Sequence, residues 1–153
     1  MDYANELQGM LASMGATVVM SRQNEQECSI ASEVKALTRA TQPDIFISIH
    51  MDSASASAYG PTVFYFYEQS YDLAWAVFDS IFPVYKAEAE RPDAVKRGAK
   101  WQQFMVNRVH DCPSVLIESG FISNPSDLEL LISAEYRAKF CQAIADGVVD
   151  YFS

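Results

Sequence analysis

Hydrophobic residues recur along the chain at two different spacings, and segments of the two kinds alternate. Apolar side chains three or four positions apart are typical of a helix with one buried face. This spacing predicts helices at residues 3–14, 29–41, 73–82 and 140–151. Gly15 is expected to end the first helix, and the run Ser126-Asp127-Leu128-Glu129 resembles a capping box that begins a further one.

Short runs of β-branched, aliphatic and aromatic residues lie between these segments and predict strands. They occupy residues 17–20, 44–49, 61–67, 104–106 and 114–117. The strand at 44–49 is expected to be buried and to end at His50, and Glu118 follows the strand at 114–117. Strands that alternate with helices indicate an α/β fold, here a mostly parallel twisted sheet flanked by helices. A chain of 153 residues favours a single domain, and the small-residue stretch 53–60 is interpreted as a loop within it.

The charge balance narrows the classes of partner. Twenty acidic residues against eleven basic ones give a formal charge of −9, which argues against nucleic-acid binding because that relies on phosphate neutralisation. The apolar runs are too short for a membrane span, and residues 1–6 have neither the basic nor the apolar part of a signal peptide. The most basic segment, residues 86–100, has a net charge of +2 and is interpreted as a solvated helix end and loop, with Arg97 as an exception.

Two polar residues at the carboxyl ends of predicted strands are candidates for chemistry, because open α/β sheets place their sites there. His50 could ligate a metal through a neutral imidazole, or could be a hydrogen-bonded structural histidine. Glu118 follows four apolar or small residues, so desolvation should raise its pKa toward that of a general base. The alternative for Glu118 is an ion pair with an arginine or a helix cap.

The other reactive residues carry weaker signals. The cysteines have no pairing or metal-binding spacing and are interpreted as small apolar fillers, at positions 28, 112 and 141. His110 precedes Asp111 and Cys112, but catalytic partners meet in space and not as neighbours in sequence. The glycines do not have the spacing of a phosphate-binding loop.

Taken together, the segments resemble the zinc-dependent N-acetylmuramoyl-L-alanine amidases, the Amidase_3 family of cell-wall hydrolases. The likeness runs in order through residues 11–22, 43–52, 60–67, 97–108, 113–125 and 135–151. The two most specific matches are Arg97-Gly98-Ala99-Lys100 followed by residues 104–108, and the run PSVLIESGFISNP at 113–125.

The resemblance implies hydrolysis of the amide between N-acetylmuramic acid and the L-alanine of the peptidoglycan stem peptide. It also implies a zinc ion held by His, Glu and His, with a separate glutamate as general base. By matching motif, His50 is the last metal ligand and Glu118 is the base. Arg97 and Arg108 match cleft-lining positions, where they would face muropeptide carboxylates or form structural salt bridges.

The likeness also has a gap, since the family's first strand, first histidine ligand and glutamate ligand have no match. Aligned on Gly15, these features would precede Met1, so the resemblance implies that residues 1–153 are an amidase domain incomplete at its N-terminus. One histidine is too few for a catalytic zinc site, and a missing strand leaves an unpaired sheet edge. We therefore expect that the chain either binds no zinc or completes its surface by self-association.

Three functions remain open from the sequence. The first is a peptidoglycan amidase that uses zinc-activated water. The second is an inactive amidase-like fragment or pseudoenzyme that binds peptidoglycan, muropeptides or a partner protein. The third and weakest is a cysteine peptidase acting on the same polymer. The resemblance implies an extracellular, periplasmic or cell-wall-associated location.

Overall fold

The computed structural model describes residues 1–22, 24, 30–108 and 111–153, and the side chains of all of these except residues 30 and 31. This part of the chain forms α-helices and strands in the order α1 Asp2–Ser13, α2 Ile30–Thr41, β1 Phe46–Asp52, β2 Thr62–Tyr65, α3 Tyr71–Glu88, β3 Ala99–Trp101, β4 Ser114–Phe121, α4 Pro125–Ile132 and α5 Ala134–Phe152. Short 3₁₀ helices lie at Glu68–Ser70 and Met105–Asn107. None of the helices in these ranges is long and apolar enough to cross a membrane.

The strands form one mixed sheet in the order β1-β4-β2-β3. β1 runs parallel to β4, β2 runs parallel to β3, and the central pair β2 and β4 is antiparallel. The predicted single α/β domain is confirmed, with two of the three strand pairings parallel.

The hydrophobic core lies on one face of the sheet, beneath α3 and α5. Val63 of β2 and Ile117 of β4 are fully buried there against apolar residues of both helices. α1 packs against α5 and contributes Tyr3 and Leu7 to the core. Because successive strand residues alternate between faces, the neighbours Thr62 and Glu118 point to the opposite face.

Gly147 allows α3 and α5 to approach closely, and its replacement by alanine should be costly. A Cβ atom at position 147 would lie 2.7 Å from the Val77 Cα and 2.8 Å from the Ala76 carbonyl oxygen. Gly147→Ala is therefore expected to lower the free energy of unfolding by about 1–3 kcal/mol, measured by urea denaturation. Gly9→Ala is the matched control, since nothing lies within 4 Å there, and alanine should stabilise that helix by about 0.5–1 kcal/mol. Equal stability of Gly147→Ala and wild type would contradict the close approach.

Two predicted strands are wrong, and both errors concern pairing. Residues 17–20 form no ladder with any strand of the described ranges; Val18, Val19 and Met20 instead line a cavity of about 400 Å³ beside α1. In place of the strand predicted at 104–106 the chain forms a 3₁₀ helix at Met105–Asn107, and the side-chain amide of buried Asn107 donates to the Phe64 carbonyl. β3 lies earlier, at Ala99–Trp101.

The strand containing His50 is not buried as predicted, because β1 is an outer strand of the sheet. His50 and Met51 are exposed, and the other residues of β1 are half-buried. The predicted capping box is also wrong in detail. Asn124 caps α4, its side-chain oxygen accepting hydrogen bonds from the backbone N–H groups of Ser126 and Asp127.

Candidate active site

Polar side chains form a row across three adjacent strands on the face away from α3 and α5. His50 of β1 is the register partner of Glu118 in β4, and Glu118 is the register partner of Thr62 in β2. Residues opposite each other in a ladder point to the same face, and neighbouring strands lie about 4.8 Å apart. The sheet therefore brings together the two candidate residues, His50 and Glu118, that are 68 positions apart in the sequence.

Glu118 has the properties expected of a general base. Burial, together with the nearby carboxylate of Asp52, raises the pKa of Glu118 to about 7. Its Oε2 is buried and has no hydrogen-bond partner among the described residues. No arginine or lysine of these ranges forms an ion pair with Glu118, so the salt-bridge alternative is not realised. A carboxylate with a pKa near neutrality can both accept and return a proton.

The surroundings of His50 favour its neutral imidazole over the protonated form. Its Nε2 lies 3.0 Å from the Ser48 Oγ. Desolvation by the surrounding protein, with the nearby cation of Arg22, lowers the pKa of His50 below its ordinary value, although much of the side chain is exposed. A neutral imidazole is the form that binds a metal.

The described residues do not fit a complete zinc site. Catalytic zinc is normally held by three protein ligands, and the described ranges contain no group of three or more His, Cys, Asp or Glu side chains that could hold a metal. His110 and Cys28 lie outside the described residues. Cys112 and Cys141 are buried free thiols, in agreement with their interpretation as apolar fillers.

The two candidate arginines lie at opposite ends of the sheet. The Arg97 Nε donates to the Thr62 Oγ1 at 3.2 Å, and its guanidinium lies 5.0 Å from the centre of the Phe121 ring. Arg97 therefore borders the row that contains Glu118. Arg108 instead donates to Gln103 and lies over the Phe66 ring. Phe66 follows the last residue of β2, which pairs with the first part of β4, whereas Glu118 lies nearer the other end of that strand. The structure does not bring Arg108 together with Glu118.

Asp127 supports this end of the sheet, and the sequence-based interpretation missed it. Its buried carboxylate accepts hydrogen bonds from the backbone N–H of Gly60 at 2.8 Å and of Phe121 at 3.0 Å, and from the Tyr85 hydroxyl at 2.8 Å. Gly120 adopts φ +153°, and a Cβ there would lie 3.1 Å from the Asp127 Oδ2. The only sequence signal was an aspartate in the first turn of a helix, where acidic residues are common.

The raised pKa of Glu118 predicts a pH-dependent contribution to stability. Between about pH 4.5 and 7 the native protein holds a proton on Glu118 that the unfolded chain has released, so stability falls as pH rises through this window. Glu118→Gln should remove this decline. The variant should gain on the order of 1 kcal/mol relative to wild type between pH 4.5 and 8, after discounting for solvent exposure, in urea titrations with a chelator present.

Glu129→Gln provides the control for this titration, because Glu129 is an exposed glutamate on α4. Its stability relative to wild type should stay constant over the same pH range. If the stability of Glu118→Gln relative to wild type were also constant over this pH range, burial would not raise the pKa of the Glu118 carboxyl.

The comparisons with known proteins agree on one family. The profile of the Amidase_3 family, N-acetylmuramoyl-L-alanine amidase, matches residues 1–150. The chain is 35% identical to a probable cell wall amidase LytH of Staphylococcus epidermidis over 98% of its own length and 47% of that protein. It is 34% identical to the N-acetylmuramoyl-L-alanine amidase LytC of Bacillus subtilis over 99% of its own length and 30% of that protein. The chain thus spans half or less of the length of these relatives.

Solved structures share the fold. The catalytic domain of CwlV, an N-acetylmuramoyl-L-alanine amidase from Bacillus (Paenibacillus) polymyxa var. colistinus, superposes with a TM-score of 0.87 at 24% identity, over 99% of this chain and 81% of that one. The amidase AmiC2 of Nostoc punctiforme superposes with a TM-score of 0.85 at 25% identity, over 98% of this chain and 80% of that one.

Proposed function

The chain belongs to the N-acetylmuramoyl-L-alanine amidase family, and on this basis we propose that it hydrolyses the amide between N-acetylmuramic acid and the L-alanine of the stem peptide in peptidoglycan. The observation that carries the proposal is the position of Glu118, a partly buried carboxylate with a pKa of about 7, next to His50 on one face of the sheet. This is the position that the family motif gives to the general base. Peptidoglycan also fits the cell wall amidases among the relatives, and an extracellular or wall-associated location is proposed with it.

The proposed role of Glu118 is to move one proton. Its carboxylate takes a proton from the water that attacks the carbonyl carbon of the amide and returns it to the departing alanine nitrogen, which leaves as an amine. No donor among the described residues competes for its buried Oε2. Arg97 is proposed to contact the substrate beside this row, and Arg108 is proposed to contact a more distant part of the substrate at the opposite end of the sheet.

The proposal includes only one protein ligand for zinc. The family implies a zinc ion, and His50 is proposed as one of its ligands. The described residues do not supply the further ligands that a catalytic zinc needs, so no step of the proposed reaction is assigned to the metal.

Digestion of purified muropeptides, with and without added zinc, tests the function. Mass spectrometry should detect free peptides that begin with L-alanine and complementary glycans that have lost them. If neither condition releases peptides while the protein still sediments with insoluble peptidoglycan, the hydrolase proposal fails and the chain is a binding module. Unchanged activity after thiol alkylation would exclude the cysteine peptidase.

We also propose that β1 pairs with a second copy of the chain. The Phe46 N–H donates to the Pro113 carbonyl on the β4 side, so strand alternation turns the N–H groups of Ile47 and Ile49 toward the other edge, which has no ladder partner among the described residues. Met51→Lys, at an exposed position of this strand, should shift the protein toward monomer in sedimentation velocity. Val149→Lys, at a similarly exposed apolar position on α5, should leave the distribution unchanged. A monomeric wild-type protein at all concentrations would refute self-association.

A further inference from the structure

The sheet ends at β3 in a group of aromatic side chains, which we call the aromatic surface. It consists of Trp101 of β3, Tyr65 at the end of β2, Phe66 directly after it, and Tyr71 at the start of α3. Trp101 is 57% exposed and Tyr71 is 46% exposed, although large aromatic side chains stabilise a fold most when they are buried. Exposed apolar side chains that lie together are a mark of an interaction site.

Contacts within the aromatic surface hold its rings in place. The ring centres of Trp101 and Phe66 lie 5.6 Å apart, and their planes are inclined by 33°. The rings of Tyr65 and Tyr71 meet edge to face at 5.6 Å, and Tyr65 is the register partner of Trp101 in the β2–β3 ladder. A rigid aromatic side chain with few rotatable bonds loses little entropy when it receives a ligand.

The aromatic surface is separate from the row that contains Glu118. The Tyr65 ring contacts Tyr71 of α3, so Tyr65 points to the helix side of the sheet, and its register partner Trp101 starts on the same side. Glu118 points to the other face. Because β3 is an outer strand of the described sheet, Trp101 lies at an edge that a ligand can approach without entering the row.

The size and charge of this region limit the kind of ligand. A Trp or Tyr side chain covers about 150–250 Å² when buried, so the exposed parts of Trp101 and Tyr71 together offer roughly 200 Å². A stable protein interface needs about 800 Å² from each partner. An anionic membrane is disfavoured because the chain has a formal charge of −9. A small uncharged ligand agrees best with both properties.

A saccharide meets these conditions. One face of a pyranose ring carries C–H groups that can lie flat on an indole, and the hydroxyl groups at its rim form hydrogen bonds. The hydroxyls of Tyr65 and Tyr71 have no hydrogen-bond partner among the described residues. A phenolic hydroxyl both donates and accepts, so these two groups suit the rim of a sugar ring that is stacked on Trp101.

We propose that the aromatic surface binds a glycan of N-acetylhexosamines, through stacking on Trp101 and a hydrogen bond with the Tyr71 hydroxyl. In peptidoglycan, this contact would hold a glycan strand at the outer edge of the sheet while the stem peptide is cleaved on the other face. The proposal rests on the proposed function for the identity of the polymer, and not for the presence of a saccharide site.

Titration of the ¹⁵N-labelled full chain with the β-1,4-linked tetramer of N-acetylglucosamine tests the proposal in metal-free buffer. The chain has two tryptophans and therefore two indole N–H signals, of which Trp101→Leu identifies the one from Trp101. We expect the tetramer to shift this signal and the backbone amides of Lys100 and Gln102, with a Kd of about 1 mM or lower. The indole N–H of Trp75 is buried and should shift less.

Three variants, followed through the backbone amides, separate the aromatic surface from other exposed apolar residues. Trp101→Leu keeps an apolar side chain but removes the aromatic ring, and it should weaken binding about fivefold or more. Tyr71→Phe removes only the hydroxyl and should weaken binding about threefold. Phe152→Leu is the matched control, because Phe152 on α5 is also 57% exposed, and it should leave the affinity unchanged.

Four results would overturn the proposal: no shift with the tetramer, full affinity in Trp101→Leu, full affinity in Tyr71→Phe, or a response of the Trp101 signal to phosphatidylglycerol vesicles in place of the tetramer. The digestion of muropeptides separates these failures from failure of the proposed function. A protein that binds the tetramer but releases no peptides loses only the hydrolase function. A protein that releases peptides but does not bind the tetramer loses only the saccharide site.

Discussion

Replacement of Asp127 by alanine is expected to lower the free energy of unfolding by about 3–5 kcal/mol. The carboxylate accepts hydrogen bonds from the backbone N–H groups of Gly60 and Phe121 and from the Tyr85 hydroxyl, all in a buried setting. Each buried donor left without a partner costs about 1–3 kcal/mol, and water entering the cavity will satisfy part of this need. For a chain of this size such a loss lowers the melting temperature by roughly 10 °C or more.

Loss of the Asp127 carboxylate should also loosen the structure locally, because its three hydrogen-bond donors belong to separate parts of the chain. Gly60 precedes β2 and Phe121 ends β4, so the carboxylate ties together the two strands that carry Thr62 and Glu118. In hydrogen exchange, the amides of Gly60 and Phe121 should therefore exchange faster in Asp127→Ala than in wild type.

Two further variants test this interpretation of Asp127. Asp127→Asn keeps one acceptor oxygen but turns an NH₂ group toward at least one donor, so it should lie between wild type and Asp127→Ala. Asp146→Ala removes an exposed aspartate of α5 and should change stability by no more than about 0.5 kcal/mol. If Asp127→Ala were as mild as Asp146→Ala, the network would not hold these segments together.

The sequence predicted helices better than strands, for a physical reason. A helix satisfies its own backbone, so the spacing of apolar residues in α3 or α5 was sufficient evidence. A strand needs a neighbour, and residues 17–20 have the composition of a strand without a ladder partner among the described residues. For the same reason the sequence could not show that β1 is an outer strand, and so could not predict the exposure of His50.

The candidate site shows the same division between local and long-range information. The raised pKa of Glu118 followed from the apolar strand before it and is confirmed, with burial as the larger cause. The contribution of Asp52 depends on the β1–β4 register, which the sequence does not reveal. The distinction between Arg97 and Arg108 also depends on strand order. Both arginines belong to segments that match the family motifs, but they lie at opposite ends of the sheet.

Replacement of Glu118 by glutamine is expected to lower the rate of muropeptide hydrolysis by about 10²–10⁴-fold with zinc present. Glutamine has nearly the same shape, but its amide cannot accept the proton of the attacking water or return one to the alanine nitrogen. The loss should appear in kcat, with little change in KM, because the role assigned to Glu118 is proton transfer and not substrate binding. In wild type the rate should rise with pH as Glu118 ionises, since the carboxylate is the form that accepts the proton.

Glu129→Gln is again the matched control, and it should keep the wild-type rate and pH profile, because Glu129 is an exposed residue of α4 that has no role in the proposed reaction. The pattern of kcat and KM separates this role from the alternatives. A Glu118→Gln variant with full activity would remove the general-base assignment even if the chain is a hydrolase. A variant whose KM rises while kcat is unchanged would instead place Glu118 in substrate binding, in the way proposed here for Arg97.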